Sequence, residues 1–221
     1  GGGRAHEGKW FLGLFVQDGR IQDAHGTNMK TALREIAEQV KPEFRFTPAE
    51  NVVLAGLDDT QRAAINAILA KHGINPDKQG TPTQLASMSC VALPTCGLAL
   101  AESERIMPEF VAKTDALLNE VGLPGEELII RITGCPNGCA RPYMAEIALV
   151  GRAPAKYQLY LGGNENSTRL ARVFKDNVAY DAVLNELRPL LIRFKAERTQ
   201  GERFGDWCAR TVWAELNLPA R

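Results

Sequence analysis

The tightest constraint on this chain is a pair of thiols four residues apart in a turn rich in Gly and Pro. The stretch Thr133-Gly134-Cys135-Pro136-Asn137-Gly138-Cys139-Ala140-Arg141-Pro142 is entered from an apolar run, Leu128-Ile129-Ile130-Arg131-Ile132. Such a run reads as a strand, so the turn presents its two thiols at a strand end. A second close pair, Cys90 and Cys96, lies upstream. These four residues are the one constellation in the chain that demands a bound group.

Five cysteines in 221 residues is few and odd, which is a poor basis for a disulfide framework in a reducing compartment. Four thiolates offered two by two suit a [4Fe–4S] core, because iron–sulfide cores prefer soft thiolates to oxygen ligands. Zinc is a second reading. Its knuckles run from C-x2-C to C-x4-C, and the C-x5-C spacing of Cys90 and Cys96 is wider than that. Unrelated buried thiols are the third, since free cysteines commonly behave as small hydrophobes. Cys208 has no partner near it in sequence and takes that last reading. Gly97, Gly134 and Gly138 would let backbone N–H groups approach the sulfurs.

Lys+Arg and Asp+Glu both total 26. No net field therefore draws the chain to nucleic acid or to an anionic membrane. No run of 18 apolar residues is present, and the first residues lack the apolar core of a signal peptide. The expected location is the cytoplasm. The sequence has no initiating Met and enters a strand almost at once, so we expect it to begin in mid-architecture.

The pattern predicts strand 9–16, an Asp18-Gly19 turn and a paired strand at Arg20-Ile21. Leu33, Ile36, Ala37 and Val40 mark a helix over 28–40. Strands 44–47 and 51–55 follow. Asp58 is the expected N-cap, with Gln61 completing a capping box, of a helix reaching His72 and closed by Gly73. That order, β-α-β-β-α, is most of a ferredoxin-like unit. His72 reads as a surface residue complementing the helix dipole. The polar stretch 75–83 reads as a linker. Beyond it we expect a long helical segment over 98–121, interrupted by Pro108 as two helices or a kink near Ile106-Met107 and ended by Gly122. Strands 128–132, 144–150 and 157–161 come next, then a helix over 179–198 containing Pro189, and a short helix or tail from Phe204. The expected class is α+β, sandwich-like: a partial ferredoxin-like unit followed by a cluster-binding α/β domain.

The two cysteine pairs and the segments around them resemble the sirohaem-containing sulfite and nitrite reductases. Further similarity lies in Phe44-Arg45-Phe46-Thr47, Val91-Ala92-Leu93-Pro94-Thr95-Cys96, residues 159–164 and Phe204-Gly205-Asp206. The match is nearest to the C-terminal half of the assimilatory sulfite reductase haemoproteins. The resemblance implies that Cys90, Cys96, Cys135 and Cys139 ligate one [4Fe–4S] cluster. It also implies that Cys139 bridges the cluster to the sirohaem iron and that Asn137 lies where cluster and macrocycle pack. A plain turn residue tolerating the left-handed region is the alternative for Asn137. The implied domains are 1–76, a ferredoxin-like half-repeat, and 77–221, which binds cluster and sirohaem and ends in a helical tail. The implied activity is six-electron reduction of sulfite, or of nitrite, with electrons from ferredoxin or an NADPH flavoprotein. The family's anion-gripping Arg and Lys residues lie in a first half that has no counterpart here, so the chain alone is expected to be inactive. Arg45 and Thr47 resemble repeat-related copies of sirohaem-contacting positions, with Arg45 expected to be structural, and Arg141 is a candidate near the cluster.

Overall fold

A computed structural model describes residues 2–5, 8–24 and 26–216, so any tail beyond Leu216 lies outside the described residues. Two compact units divide between Gly80 and Thr81, inside the polar stretch 75–83 and four residues after residue 76.

In the first unit, β2 (Trp10–Leu14), β5 (Glu43–Phe46) and β6 (Val52–Leu57) form an antiparallel sheet in the order β2-β6-β5. Helix α1 (Met29–Gln39) connects β2 to β5, and α2 (Asp59–Lys71) follows β6. The expected partner strand at Arg20-Ile21 is absent. Residues 17–19 instead form a 3-10 turn with Asp18 at φ +50°, and a short strand, β1 (Gly2–Arg4), occupies the edge beside β2. A two-residue ribbon, β3 (Asp23–Ala24) with β4 (Thr27–Asn28), precedes α1. The core is built from Leu14, Ile36, Leu54, Leu57, Ile65 and Leu69. The expected capping box is present: Gln61 N–H donates to Asp58 at 2.8 Å, and the Gln61 side chain accepts from Asp58 N–H at 3.1 Å.

His72 differs from its expectation. It is only 9% exposed, and its Nε2 lies 2.7 Å from Glu35 Oε2 on α1. Lys71 reaches the same carboxylate at 2.9 Å. The hydrogen bond from His72, then that from Lys71, holds the Glu35 carboxyl below its usual range. A helix-end pattern cannot reveal a partner 37 residues away in sequence.

The second unit carries a five-stranded sheet in the order β11-β10-β9-β8-β7, from β7 (Met88–Ser89), β8 (Ile130–Thr133), β9 (Ile147–Ala153), β10 (Lys156–Leu161) and β11 (Arg172–Ala179). β7, β8 and β9 are mutually parallel; β9, β10 and β11 are antiparallel. A short helix, α3 (Pro82–Ala86), leads into β7. One face of the sheet packs against α4 (Met107–Val121) and α5 (Val183–Glu197) through Phe110, Leu118, Leu149, Leu159, Leu187, Leu191 and Phe194.

Pro108 does not kink a long helix. It sits in the first turn of α4, where its missing N–H has no intrahelical acceptor to lose, and residues 98–106 run as turns. Gly122 at φ +78° ends α4 as expected. Helix α5 runs unbroken through Pro189. The carbonyl this frees belongs to Asn185, an exposed residue, so the lost helix bond falls on the solvent side.

After α5 the chain folds back through α6 (Phe204–Trp207), a π-helical turn at Cys208–Val212 and α7 (Trp213–Glu215). This return is keyed by Glu146, which is fully buried. Its carboxylate accepts from Ile129 N–H (2.9 Å), Gly205 N–H (3.0 Å) and both Nε and Nη2 of Arg203 (3.2 and 3.0 Å). Burial works against the Arg203 guanidinium, but Glu146 and Glu127 hold its pKa above the ordinary value. Removing one member of such a pair strands the other without compensation. Glu146→Ala is expected to destabilise the second unit by roughly 3–5 kcal/mol, read as a lowered urea midpoint, with Arg45→Ala on exposed β5 leaving that midpoint in place.

Candidate functional site

Parallel strands cannot be joined by a tight hairpin and need a crossover. Between β7 and β8 the crossover contains α4. Between β8 and β9 it contains no α-helix: the chain passes through the cysteine turn and a 3-10 turn at Pro142–Met144. Cys90 directly follows β7, and Cys135 follows β8 by two residues. Ser89 is paired with Ile132 in the parallel ladder, so both cysteine loops leave the same edge of the sheet, at the carboxyl ends of adjacent strands. Sites in parallel sheets form at such edges.

Gly134 joins the two loops. Its N–H donates to Cys90 Sγ at 3.2 Å, and its carbonyl accepts from Leu100 N–H (2.8 Å) and Ala101 N–H (3.0 Å). A Cβ at Gly134 would meet Ala92 Cβ at 2.6 Å and the Ala101 carbonyl at 2.7 Å. A Cβ at Gly151, on β9, would lie 2.3 Å from the Gly134 carbonyl. Three segments therefore approach at backbone distance, which small residues alone permit. Cys90 is fixed by its own backbone too: its N–H donates to Ile132 C=O (3.3 Å), and its carbonyl accepts from Glu104 N–H (3.1 Å). Thr133, fully buried, brings its hydroxyl within 3.5 Å of Cys90 Sγ and 3.4 Å of the Cys135 carbonyl.

The remaining ligand candidates hang from this anchor. Cys96 N–H donates to Ala92 C=O at 2.8 Å, and Ala92 is in the left-handed region at φ +46°. Cys135 is buried, Cys90 and Cys96 are half-buried, and Cys139 is exposed. Within the C-x3-C turn the left-handed position belongs to Gly138, at φ +69°, and not to Asn137. Asn137 is exposed and makes no side-chain hydrogen bond among the described residues. Tyr143 braces the turn from below, its hydroxyl donating to Pro136 C=O at 3.1 Å.

Arg141, two residues past Cys139, lies with Nη2 at 3.6 Å from Met88 Sδ, and its carbonyl accepts from Arg131 Nη1 at 3.0 Å. Arg45 and Thr47 lie in the first unit. Arg45 pairs with Glu43 on the exposed face of β5, and the Thr47 hydroxyl accepts from Asn51 N–H within the β5–β6 turn. Cys208 is sealed in the core of the second unit, where burial pushes its thiol pKa well up. One residue near the site carried no sequence signal. Tyr157, on β10, sends its hydroxyl to Glu102 C=O at 2.7 Å; burial first, and the Glu102 charge second, push its phenol well above the usual range.

The donor set consists of thiols, the ligands iron–sulfur cores take. Among the described residues, no three His, Cys, Asp or Glu side chains are gathered as a site for one metal ion. The two loops offer their sulfurs from separate anchors. The residues present fit a cluster: soft donors, backbone N–H already aimed at one sulfur, and a glycine junction that leaves no room for a side chain. Gly134→Ala is expected to part the loops and lower the thermal midpoint of the second unit by a loss of about 1–3 kcal/mol. Gly97→Ala, whose Cβ would meet nothing within 4 Å, is the control and should melt like the wild type.

Known proteins match this chain over nearly its whole length. Residues 4–72 match the family described as the nitrite/sulfite reductase ferredoxin-like half domain. The sulfite reductase [NADPH] hemoprotein beta-component of Staphylococcus epidermidis is 48% identical over 201 residues, 91% of this chain and 35% of the relative. The protein of the same description from Oceanobacillus iheyensis is 44% identical over 211 residues, 95% of this chain and 37% of the relative. The chain thus spans little more than a third of the length of these relatives. Among solved structures, Mycobacterium tuberculosis NirA superposes with a TM-score of 0.76 at 22% identity, covering 96% of this chain and 40% of NirA. Dissimilatory sulfite reductase I (DsrI) does so at 0.60 and 12% identity, covering 96% and 70%; these two likenesses concern the fold. Over nearly its whole length the chain is thus similar to hemoprotein beta-components of sulfite reductase.

Proposed function

We propose that this chain supplies the cluster-holding part of a longer sulfite reductase haemoprotein. The observation that carries the reading is the junction at Gly134, which ties the Cys90–Cys96 loop to the Cys135–Cys139 loop at the carboxyl ends of the parallel strands β7 and β8. Cys90, Cys96, Cys135 and Cys139 would hold a [4Fe–4S] cluster. When bound, the cluster and a sirohaem would deliver electrons one at a time to an anion on the haem. Cys139 is the thiol that faces outward, which suits it to be shared with the haem, and exposed Asn137 beside it would meet the macrocycle. Buried Cys135 and anchored Cys90 would keep the cluster's inner side away from water. The whole enzyme would reduce sulfite to sulfide with six electrons from ferredoxin or an NADPH flavoprotein, in the cytoplasm. The groups that grip the anion would come from a portion of the haemoprotein outside this chain. Among the described residues, no helix is long and apolar enough to cross a membrane.

The chain, reconstituted anaerobically with iron and sulfide, is expected to hold four irons and four acid-labile sulfides, about as a cubane requires. Stoichiometric zinc with no labile sulfide would sink the reading and leave a zinc-binding module in its place. In the whole enzyme, Cys139→Ser is expected to uncouple cluster from haem and abolish sulfite turnover. Turnover at the wild-type rate would remove the bridging role, and faster turnover of nitrite than of sulfite by the intact enzyme would reassign the substrate.

A further inference from the structure

We propose that Thr133 sets the redox poise of the cluster by hydrogen bonding to the sulfur of Cys90. The inference rests on the cluster reading above and concerns one side chain that nothing else in the site requires to be polar. Thr133 is the last residue of β8 and is fully buried, so its hydroxyl has no water to bond. Two acceptors lie within reach, Cys90 Sγ at 3.5 Å and the Cys135 carbonyl at 3.4 Å. The hydroxyl has one proton to give. A neutral thiol is a weak acceptor, comparable with or poorer than the carbonyl. A ligating thiolate carries negative charge and is the stronger acceptor. Loading the site would therefore commit the Thr133 proton to Cys90, where it joins the 3.2 Å bond from Gly134 N–H.

The consequence follows from charge. Reduction adds one electron to the cluster, breaks no bond, and spreads part of the added charge onto the cysteine sulfurs. A donor at a sulfur stabilises the reduced state more than the oxidised one, so it raises the reduction potential. The Gly134 donor is backbone and cannot be removed by substitution; Thr133 is the adjustable part of the pair. A valine has nearly the shape of threonine and lacks the hydroxyl, and a serine keeps the hydroxyl without the methyl.

Wild type, Thr133→Val and Thr133→Ser, each reconstituted with iron and sulfide, are titrated with dithionite. The reduced cluster is followed by its electron paramagnetic resonance, and iron and labile sulfide are counted on the same samples. The expected result is full cluster content in all three. At one fixed poise the valine variant should hold on the order of three- to tenfold less reduced cluster, as one charge-assisted hydrogen bond allows. A tenfold change corresponds to about 59 mV for one electron. The serine variant should match the wild type. Equal midpoints in the valine variant and the wild type, with clusters full in both, overturn the inference. If the valine variant fails to assemble its cluster, Thr133→Ala takes its place, and failure there too assigns Thr133 a structural role and overturns the proposal. A wild-type chain that binds no labile sulfide overturns the cluster reading itself, a failure the sulfide count separates from an unchanged midpoint.

Discussion

The backbone of Gly134 is where the second unit is held together around its site. One peptide group donates to the Cys90 sulfur, and the carbonyl on the other side accepts from Leu100 and Ala101. Gly151 lies behind it at backbone distance. Neither cysteine loop is regular secondary structure, and each carries polar backbone that needs partners when buried. Here the loops satisfy one another, so the position of Cys90 relative to Cys135 is set by peptide hydrogen bonds.

A parallel crossover without a helix makes this possible. Helix α4 occupies the β7–β8 connection and covers one face of the sheet. The β8–β9 connection is thereby free to stay at the sheet's edge, where it forms the C-x3-C turn. Arg131, on β8, reaches the Arg141 carbonyl just past that turn, and Tyr143 holds the Pro136 carbonyl. Strand, turn and return strand thus brace one another without covering Cys139, which stays exposed.

What could be read from the sequence depended on how local its cause was. The Asp58–Gln61 capping box, the Gly122 stop and the strand running into Cys135 are fixed by neighbours a few residues away, and they were legible. Strand β11 was not, because Arg172-Val173-Phe174-Lys175-Asp176-Asn177 is a polar edge strand whose pairing with β10 carries register shifts. Residues 98–106 have helical composition but are drawn out of helix by the site: Leu100, Ala101 and Ser103 bond to Gly134 and Ile132. His72 was misplaced because its partner lies on another helix. Of the site, the two close cysteine pairs were visible in the sequence itself. The roles of Gly134, Thr133 and Tyr157 were not, because each is defined by a contact across strands.

Glu146 has a consequence that concerns time. Its carboxylate sits at the start of β9, between the cysteine turn and the rest of the sheet, and its cationic partner is Arg203. All four site cysteines precede Arg203 in the chain, so on the ribosome they emerge while Glu146 still lacks its guanidinium. An unpaired carboxylate resists burial. Burial of a charged Glu146 is therefore opposed until the last part of the second unit has been made. The thiols are synthesised early, and the structure that fixes their surroundings is completed late.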